Sequence, residues 1–541
     1  MLEFKSMIDR IKQIYPQRHV EVSSRLEDLI ATFKKVHPEY IDRKLHYSEK
    51  DVIFITYADH VHDESRPTLD AMASFFEKYI QGLIGRIHFL PFYPYSSDDG
   101  FSVIDYYKIK AGFGDWSNVK EIARKYDLMF DLVINHISQK SEWFQEFLKG
   151  NPKYQEYFIS YDEPIDTTKV FRPRTHPVLT PFQTATGTKY VWTTFSDDQI
   201  DLNFANPDVL IEMLKVLLFY IEQGATVIRL DAVGYLWKKR GTSCIHLKET
   251  HEVVKLMRDI LNEIAPHVWI ITETNVPHKD NVSYFGSGRD EAHLVYNFTL
   301  PPLLLHTFIK GDSTDLTKWA QSLEYPSDTA TFFNFTASHD GIGVTPLKGI
   351  IPDQDIMDLA EYVKKSGGFV NMRTVSGQAP QPYELNTVYL SALGGNLDAF
   401  LASQAIALSL KGVPAIYFNS LIGAENWSEG VTTLGYNRAV NRQKFSLHEL
   451  VTELDNVESK KHKIYSAYKK LIEARIAEPL FSPYASQTVI DVGPEVFCVV
   501  RSKDDDEIFA ITNITDKQVT KKVRSQEIEL APYEVRWFRP L

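Results

Sequence analysis

Three carboxylates stand at the ends of short apolar runs: Asp231 in TVIRLDAV, Glu273 in VWIITETN and Asp340 in TFFNFTASHD. Arg229 lies two residues before Asp231 inside the same apolar run, where a charge must be paired to be buried. Asp59 ends a fourth run, His88 lies in a fifth, Asn135-His136 end a sixth, and His339 precedes Asp340. A pair of carboxyl groups roughly 5 Å apart serves retaining glycoside chemistry. One attacks the anomeric carbon; the other protonates the leaving oxygen and then deprotonates the incoming acceptor. An ionised nucleophile needs a fixed cation, and Arg229 is on its face at a period of two. Glu273, between Thr272 and Thr274, is the candidate acid. A lone Arg-Asp pair in a strand reads as a structural ion pair, and a lone Glu as incidental. It is the set, at corresponding strand ends, that points to catalysis.

The elements that must position this set are eight near-continuous apolar runs, at 52–59, 86–94, 128–136, 226–233, 268–275, 293–300, 331–340 and 413–420. Such runs suit parallel strands buried on both faces. Between them, 209–224, 249–266 and 403–412 carry apolar positions at helical spacing and stop at glycine or proline. Strands alternating with helices, nearly every strand ending in a polar residue, predict an α/β fold: a (β/α)8 TIM barrel with its site on the C-terminal face. A doubly wound sheet is the alternative.

Residues 1–48 read as an N-terminal helical segment, and 49–477 as the catalytic barrel. Residues 137–205 are too long for a simple connection and read as an insert domain after strand 3. GGFVNMRTVSGQAPQPY, after strand 7, reads as a mobile loop. From 478 to 541, TVIDVG, VFCVVRS, EIFAITNI, TKKVRS and EVRWF predict a C-terminal antiparallel β domain.

The chain of 541 residues is 44% hydrophobic and 24% charged, with formal net charge −12. That charge argues against nucleic acid held through its phosphates. No apolar run is long enough for a membrane span, and the first residues have no secretory apolar core. Cys244 and Cys498 lack metal-ligand spacing, and two free thiols suit the cytoplasm. No dinucleotide or phosphate-loop fingerprint appears. Neither a cofactor nor a metal is expected.

DLVINH, VIRLDAVGY, TETN and TASHD resemble, in order, the four signature segments of the α-amylase superfamily, glycoside hydrolase family 13. The resemblance runs from about residue 50 to the C-terminus. It implies Asp231 as nucleophile, Glu273 as acid/base and Asp340 as transition-state stabiliser, with Asn135, Arg229 and His339 supporting a glucosyl ring. ITYAD, HFLPFYPYSSDDGFSVIDY, AVGYLWKKRGTSC, SHDGIGV and YNRAVNRQKF resemble the sucrose-phosphorylase subfamily more narrowly, which adds Asp59, His88, Arg442 and, in TTFSDD, Phe195 to the sugar site. TTFSDDQIDLN, GTSCIHL and ITETNVPHKDNVSYFG resemble members acting on glucosylglycerate. Sucrose or glucosylglycerol phosphorolysis, and plain α-glucoside hydrolysis, stay open as alternatives.

Phosphorolysis needs cations or backbone donors for phosphate in the acceptor site. FRPRTHP offers Arg172, held extended by Pro173, and Arg174. By similarity to the subfamily Arg174 is assigned to phosphate, with Arg172 beside it and Tyr383 from the loop after strand 7. The same cations suit the carboxylate of glycerate. The expected partners are therefore a small glucoside, inorganic phosphate and glycerate.

Overall fold

The structure is a computed structural model and describes residues 2–174, 176–373 and 380–539. Eight strands form a closed parallel barrel: β1 Ile53–Thr56, β2 Arg86–Phe89, β3 Asp127–Leu132, β4 Ala225–Leu230, β5 Trp269–Thr272, β6 Leu294–Tyr296, β7 Thr331–Phe335 and β8 Val413–Tyr417. Their order around the barrel is β1-β8-β7-β6-β5-β4-β3-β2. Each arises from one of the apolar runs, so the barrel reading holds and the doubly wound alternative does not.

The chain divides into two compact units: Met1–His46 with Phe89–Thr274 and Val282–Val295, and Tyr47–His88 with Asn275–Asn281 and Tyr296–Leu541. Strands β3, β4 and β5 belong to the first unit and β1, β7 and β8 to the second, while β2 and β6 fall across the division.

In the first unit, the helix Pro207–Glu222 feeds β4. Asn206 caps it by accepting from the Asp208 N–H, and Pro207 occupies the first turn. Gly224 then turns the chain into β4 at φ +106, where a Cβ would lie 2.9 Å from the Ala123 methyl, so only glycine fits. Helices Leu2–Ile14 and His19–Val36 precede the barrel. Arg10 joins the first of them to the helix Lys248–Ile264, reaching Glu252 at 3.1 Å and Asp259 at 2.6 Å. The excursion after β3 leaves and returns through one short ladder, His136–Ser138 antiparallel to Gln199–Asp201. Between these ends Ser160–Tyr161, Leu179–Thr184 and Gly187–Trp192 make a three-stranded sheet.

In the second unit, the segment expected to be a mobile loop has strand among its described residues at both ends. Phe369–Arg373 and Gln381–Asn386 pair antiparallel, and Ile342–Gly343 joins the second of them. Val370, Met372, Tyr383 and Leu385 supply the apolar residues for this pairing, and its Gly and Pro content masked them. Residues 374–379, the middle of that expectation, lie outside the described residues, as does Thr175 in RPRTHP.

The C-terminal sheet runs in the order Ser486–Asp491, Val496–Lys503, Asp506–Asn513, Val535–Phe538. TKKVRS proves to be half of a separate hairpin, Val519–Val523 with Gln526–Leu530; the alternation in QEIEL, with Ile528 and Leu530 turned into the core, was the overlooked signal. Arg501 ties this sheet down. Its guanidinium is fully buried and donates to the carbonyls of Ser409, Ser482, Ala485 and Ser486. Burial pulls its pKa down to about 10. Arg501→Met should leave these carbonyls, two of them in buried bonds, without their donor, costing roughly 3 kcal/mol. Thermal unfolding of the full chain checks it, and an unchanged Tm would contradict the assignment.

Candidate active site

In the first unit, register decides which charges meet. Arg229 pairs across the ladder with Asp131 of β3, so both side chains emerge on the same face. The Arg229 Nη1 donates to Asp131 Oδ1, and to Asp231 Oδ1 at 2.8 Å. Asp131 and Arg229 are buried, and the guanidinium also faces the Phe101 ring, 5.6 Å from its centroid. The charge in the apolar run is thus matched twice.

The ladder continues one residue past the strand ends. The Asp231 N–H donates to Leu132 O, and the Glu273 N–H to Leu230 O, each at 3.2 Å. Leu230 pairs with Thr272, so Asp231 and Glu273 follow side by side on neighbouring strands. Such strands lie about 4.8 Å apart, so the two side chains leave the sheet from adjacent positions. Directly after Asp231, Ala232 adopts φ +49, a left-handed conformation that non-glycine residues rarely take. That turn aims the Ala232 N–H at Glu273 Oε2, 3.0 Å away. The nucleophile candidate's own turn therefore holds the acid candidate.

Asn135 has both side-chain groups engaged. Its Nδ2 donates to Asp201 Oδ2 at 3.1 Å, and its Oδ1 accepts from Lys238 Nζ at 2.7 Å. Lys238 also reaches Asp201 Oδ2 at 2.6 Å, with both partners buried. Thr194 adds its N–H and hydroxyl to the same carboxylate. A buried ammonium thus sits where the oxygens of Asn135 and Asp201 converge. Burial lowers the Lys238 pKa, and Asp201 opposes that shift. Phe195 packs against His136 and Tyr235, at 5.4 and 5.2 Å between centroids. Arg172 is exposed and donates to His176 O at 2.7 Å, while Arg174 is half-buried. The Phe171 N–H donates to Ser243 O, which anchors this arginine loop to GTSCIHL.

In the second unit, the segment YNRAVNRQK addresses the backbone and carboxylates near Asp340. Asn441 Nδ2 donates to Ser338 O at 2.6 Å, and Arg442 Nε to His339 O at 2.9 Å, which fixes the two carbonyls before Asp340. Arg442 Nη2 lies 3.9 Å from Asp340 Oδ1, and Arg438 Nη1 lies 2.6 Å from the same oxygen. His339 Nε2 is 3.6 Å from Asp340 Oδ2, and its ring meets Tyr57 edge-on. Lys444 pairs with Asp59 at 2.8 Å while sitting 3.5 Å over the Tyr57 ring. His88 is fully buried in β2, and Tyr383 is half-buried in the strand Gln381–Asn386.

With this geometry in hand, the α-amylase catalytic-domain model matches residues 76–340. A glucosylglycerate phosphorylase of Escherichia coli (strain K12) is 43% identical over 92% of this chain and 93% of its own length. The chain belongs to the α-amylase family. A second glucosylglycerate phosphorylase, from Allomeiothermus silvanus, is 43% identical over 98% of both chains. Among solved structures, sucrose 6F-phosphate phosphorylase from Thermoanaerobacter thermosaccharolyticum matches with a TM-score of 0.78 and 27% identity, covering 89% of this chain and 98% of that one. The family's barrel is the barrel described above.

Several residues that pair with the candidates were not singled out from the sequence: Asp131, Asp201 and Lys238 in the first unit, and Glu384, Arg438 and Lys444 in the second. Asp131 carried a signal, as a second charge inside an apolar run beside the run that holds Arg229. Lys238 carried none, since it stands next to the exposed Lys239 in what reads as a solvated pair. Lys238→Met should leave the Asp201 carboxylate buried with no cation. The expected loss is about 3–5 kcal/mol of stability, with Asp201→Asn in the same chain restoring part of it. Thermal unfolding of the two variants checks this; a double variant less stable than Lys238→Met would contradict it.

Proposed function

We propose that this chain is a retaining phosphorylase that transfers the α-glucosyl unit of glucosylglycerate to inorganic phosphate, releasing glycerate and α-glucose 1-phosphate. The observation that carries the reading is the 43% identity to glucosylglycerate phosphorylases across almost their whole lengths. A sucrose phosphorylase of Agrobacterium vitis is 29% identical over 82% of this chain and a glucosylglycerol phosphorylase of Marinobacter adhaerens 30% over 70%, which makes these two donors the alternatives.

In the proposed first step an Asp231 carboxylate oxygen bonds to the anomeric carbon as the bond to the glycerate oxygen breaks. Glu273 gives that oxygen its proton. In the second step a phosphate oxygen attacks the same carbon, the bond to Asp231 breaks, and Glu273 takes up the proton of the attacking phosphate hydroxyl. The 2.8 Å contact from Arg229 keeps Asp231 anionic and aimed. Asp340 is assigned to offset the positive charge that develops on the sugar ring. Asp59, His88, Phe195, His339 and Arg442 are assigned to hold the glucosyl unit, and Asn135 to act through Lys238 and Asp201 rather than by touching the sugar. Arg174, with Arg172 and Tyr383, is assigned to phosphate and to the glycerate carboxylate, two anions that occupy the acceptor position in turn. Two free buried cysteines favour a cytoplasmic setting.

Glucose 1-phosphate release from glucosylglycerate, glucosylglycerol and sucrose, each with and without phosphate, tests the reading. Phosphate-dependent release fastest from glucosylglycerate is expected; preference for another donor, or glucose as the main product, would overturn it. Asp231→Asn should lower turnover by at least roughly four orders of magnitude with the fold intact, and a variant keeping a substantial fraction of the rate would refute the nucleophile. Arg174→Ala should slow phosphorolysis more than hydrolysis of the glucosyl–enzyme, whereas equal losses would remove Arg174 from the phosphate site.

A further inference from the structure

We infer that Arg438 is a positioning residue for Asp340, and that Glu384 is the buried anchor that aims it. The inference rests on the assignment of Asp340 as transition-state stabiliser. Arg438 spends one edge of its guanidinium on Glu384, with Nε at 3.1 Å and Nη2 at 2.7 Å from Oε1. The remaining Nη1 is left to face Asp340 Oδ1 at 2.6 Å. A planar guanidinium gripped along one edge has no rotational freedom at the other.

Glu384 is itself fixed. It is 1% exposed and accepts from Asn371 Nδ2 at 2.9 Å. Asn371 in turn accepts from Asn437 Nδ2 at 2.6 Å, one residue before Arg438. Register places Glu384 opposite Gly343, so its strand runs beside the segment that leaves Asp340. Gly341, the residue after Asp340, has no room for a side chain: a Cβ would lie 2.5 Å from Glu384 Cγ and 2.7 Å from Asn386 Oδ1. The glycine after the carboxylate is thus explained by the anchor packed against it. A carboxylate this deeply buried requires its cation, so Arg438 is not a surplus surface pair. The same strand carries Tyr383, and the paired strand Phe369–Arg373 carries Asn371. Arg438 therefore ties the geometry of Asp340 to the hairpin proposed to meet the acceptor.

A lysine in place of Arg438 supplies the charge but cannot hold both carboxylates in this fork. Asp340 then loses its fixed rotamer, and a misplacement on the order of 1 Å costs about 10²-fold in rate. The experiment measures kcat for fluoride release from α-glucosyl fluoride, an activated donor on which slow variants stay measurable. The variants are Arg438→Lys and Glu384→Gln, each made alone and together with Asp340→Asn, with Tm recorded for all. Arg438→Lys should lower kcat by about 10²-fold and Glu384→Gln by about tenfold, while neither lowers it further once Asp340 is Asn. Equal rate losses in both backgrounds, or folded single variants with wild-type kcat, would overturn the inference. An Asp340→Asn variant with near wild-type turnover would instead overturn the assignment of Asp340, and this inference with it. If Arg438→Lys does not fold, Glu384→Gln alone carries the test, because it keeps the shape and an acceptor oxygen.

Discussion

The first unit is organised around one guanidinium. Arg229 is buried in a barrel strand, so its charge must be met by partners in fixed places, and ladder register fixes both. Asp131 is its neighbour across the sheet, and Asp231 lies two residues on along its own strand. One guanidinium thus holds two carboxylates in fixed places. A preorganised arrangement of charges acts more strongly on charge that develops in a transition state than a hydrated one does.

The other acids follow a related pattern, each facing a donor that a neighbouring group holds in place. Glu273 is met by the amide of Ala232, which the left-handed turn after Asp231 directs. Asp340 faces Arg438, which Glu384 holds, and Asp59 faces Lys444, which Tyr57 supports. Arg442 and Asn441 hold the carbonyls just before Asp340. Strand ends place the carboxylates, and short segments outside the strands supply the cations. That division suits a fold whose chemistry varies through its loops while its barrel stays fixed.

The barrel was readable because parallel strands packed on both faces leave near-continuous apolar runs, and the polar residue ending nearly every strand marked the strand top. The three carboxylates stood out by breaking those runs. Their partners did not. Asp131 needed the cross-strand register, which no single run reveals, and Lys238 looked like any surface lysine until the buried Asp201 and Asn135 came beside it. Glu384 and Arg438 are 54 residues apart, and Glu384 is placed by the pairing of Phe369–Arg373 with Gln381–Asn386. Gly, Pro and Gln around these two strands point to a loop and outweigh the short alternation of Val370, Met372, Tyr383 and Leu385. Strand tops are local facts of the sequence, whereas salt-bridge partners come from register and tertiary packing.

The stereochemistry of the product tests the double displacement most directly. With glucosylglycerate and inorganic phosphate, ¹H and ³¹P NMR taken early in the reaction should show α-glucose 1-phosphate as the first glucosyl product, formed in step with free glycerate. β-Glucose 1-phosphate as the first product would mean a single inverting displacement and would contradict Asp231 as a covalent nucleophile.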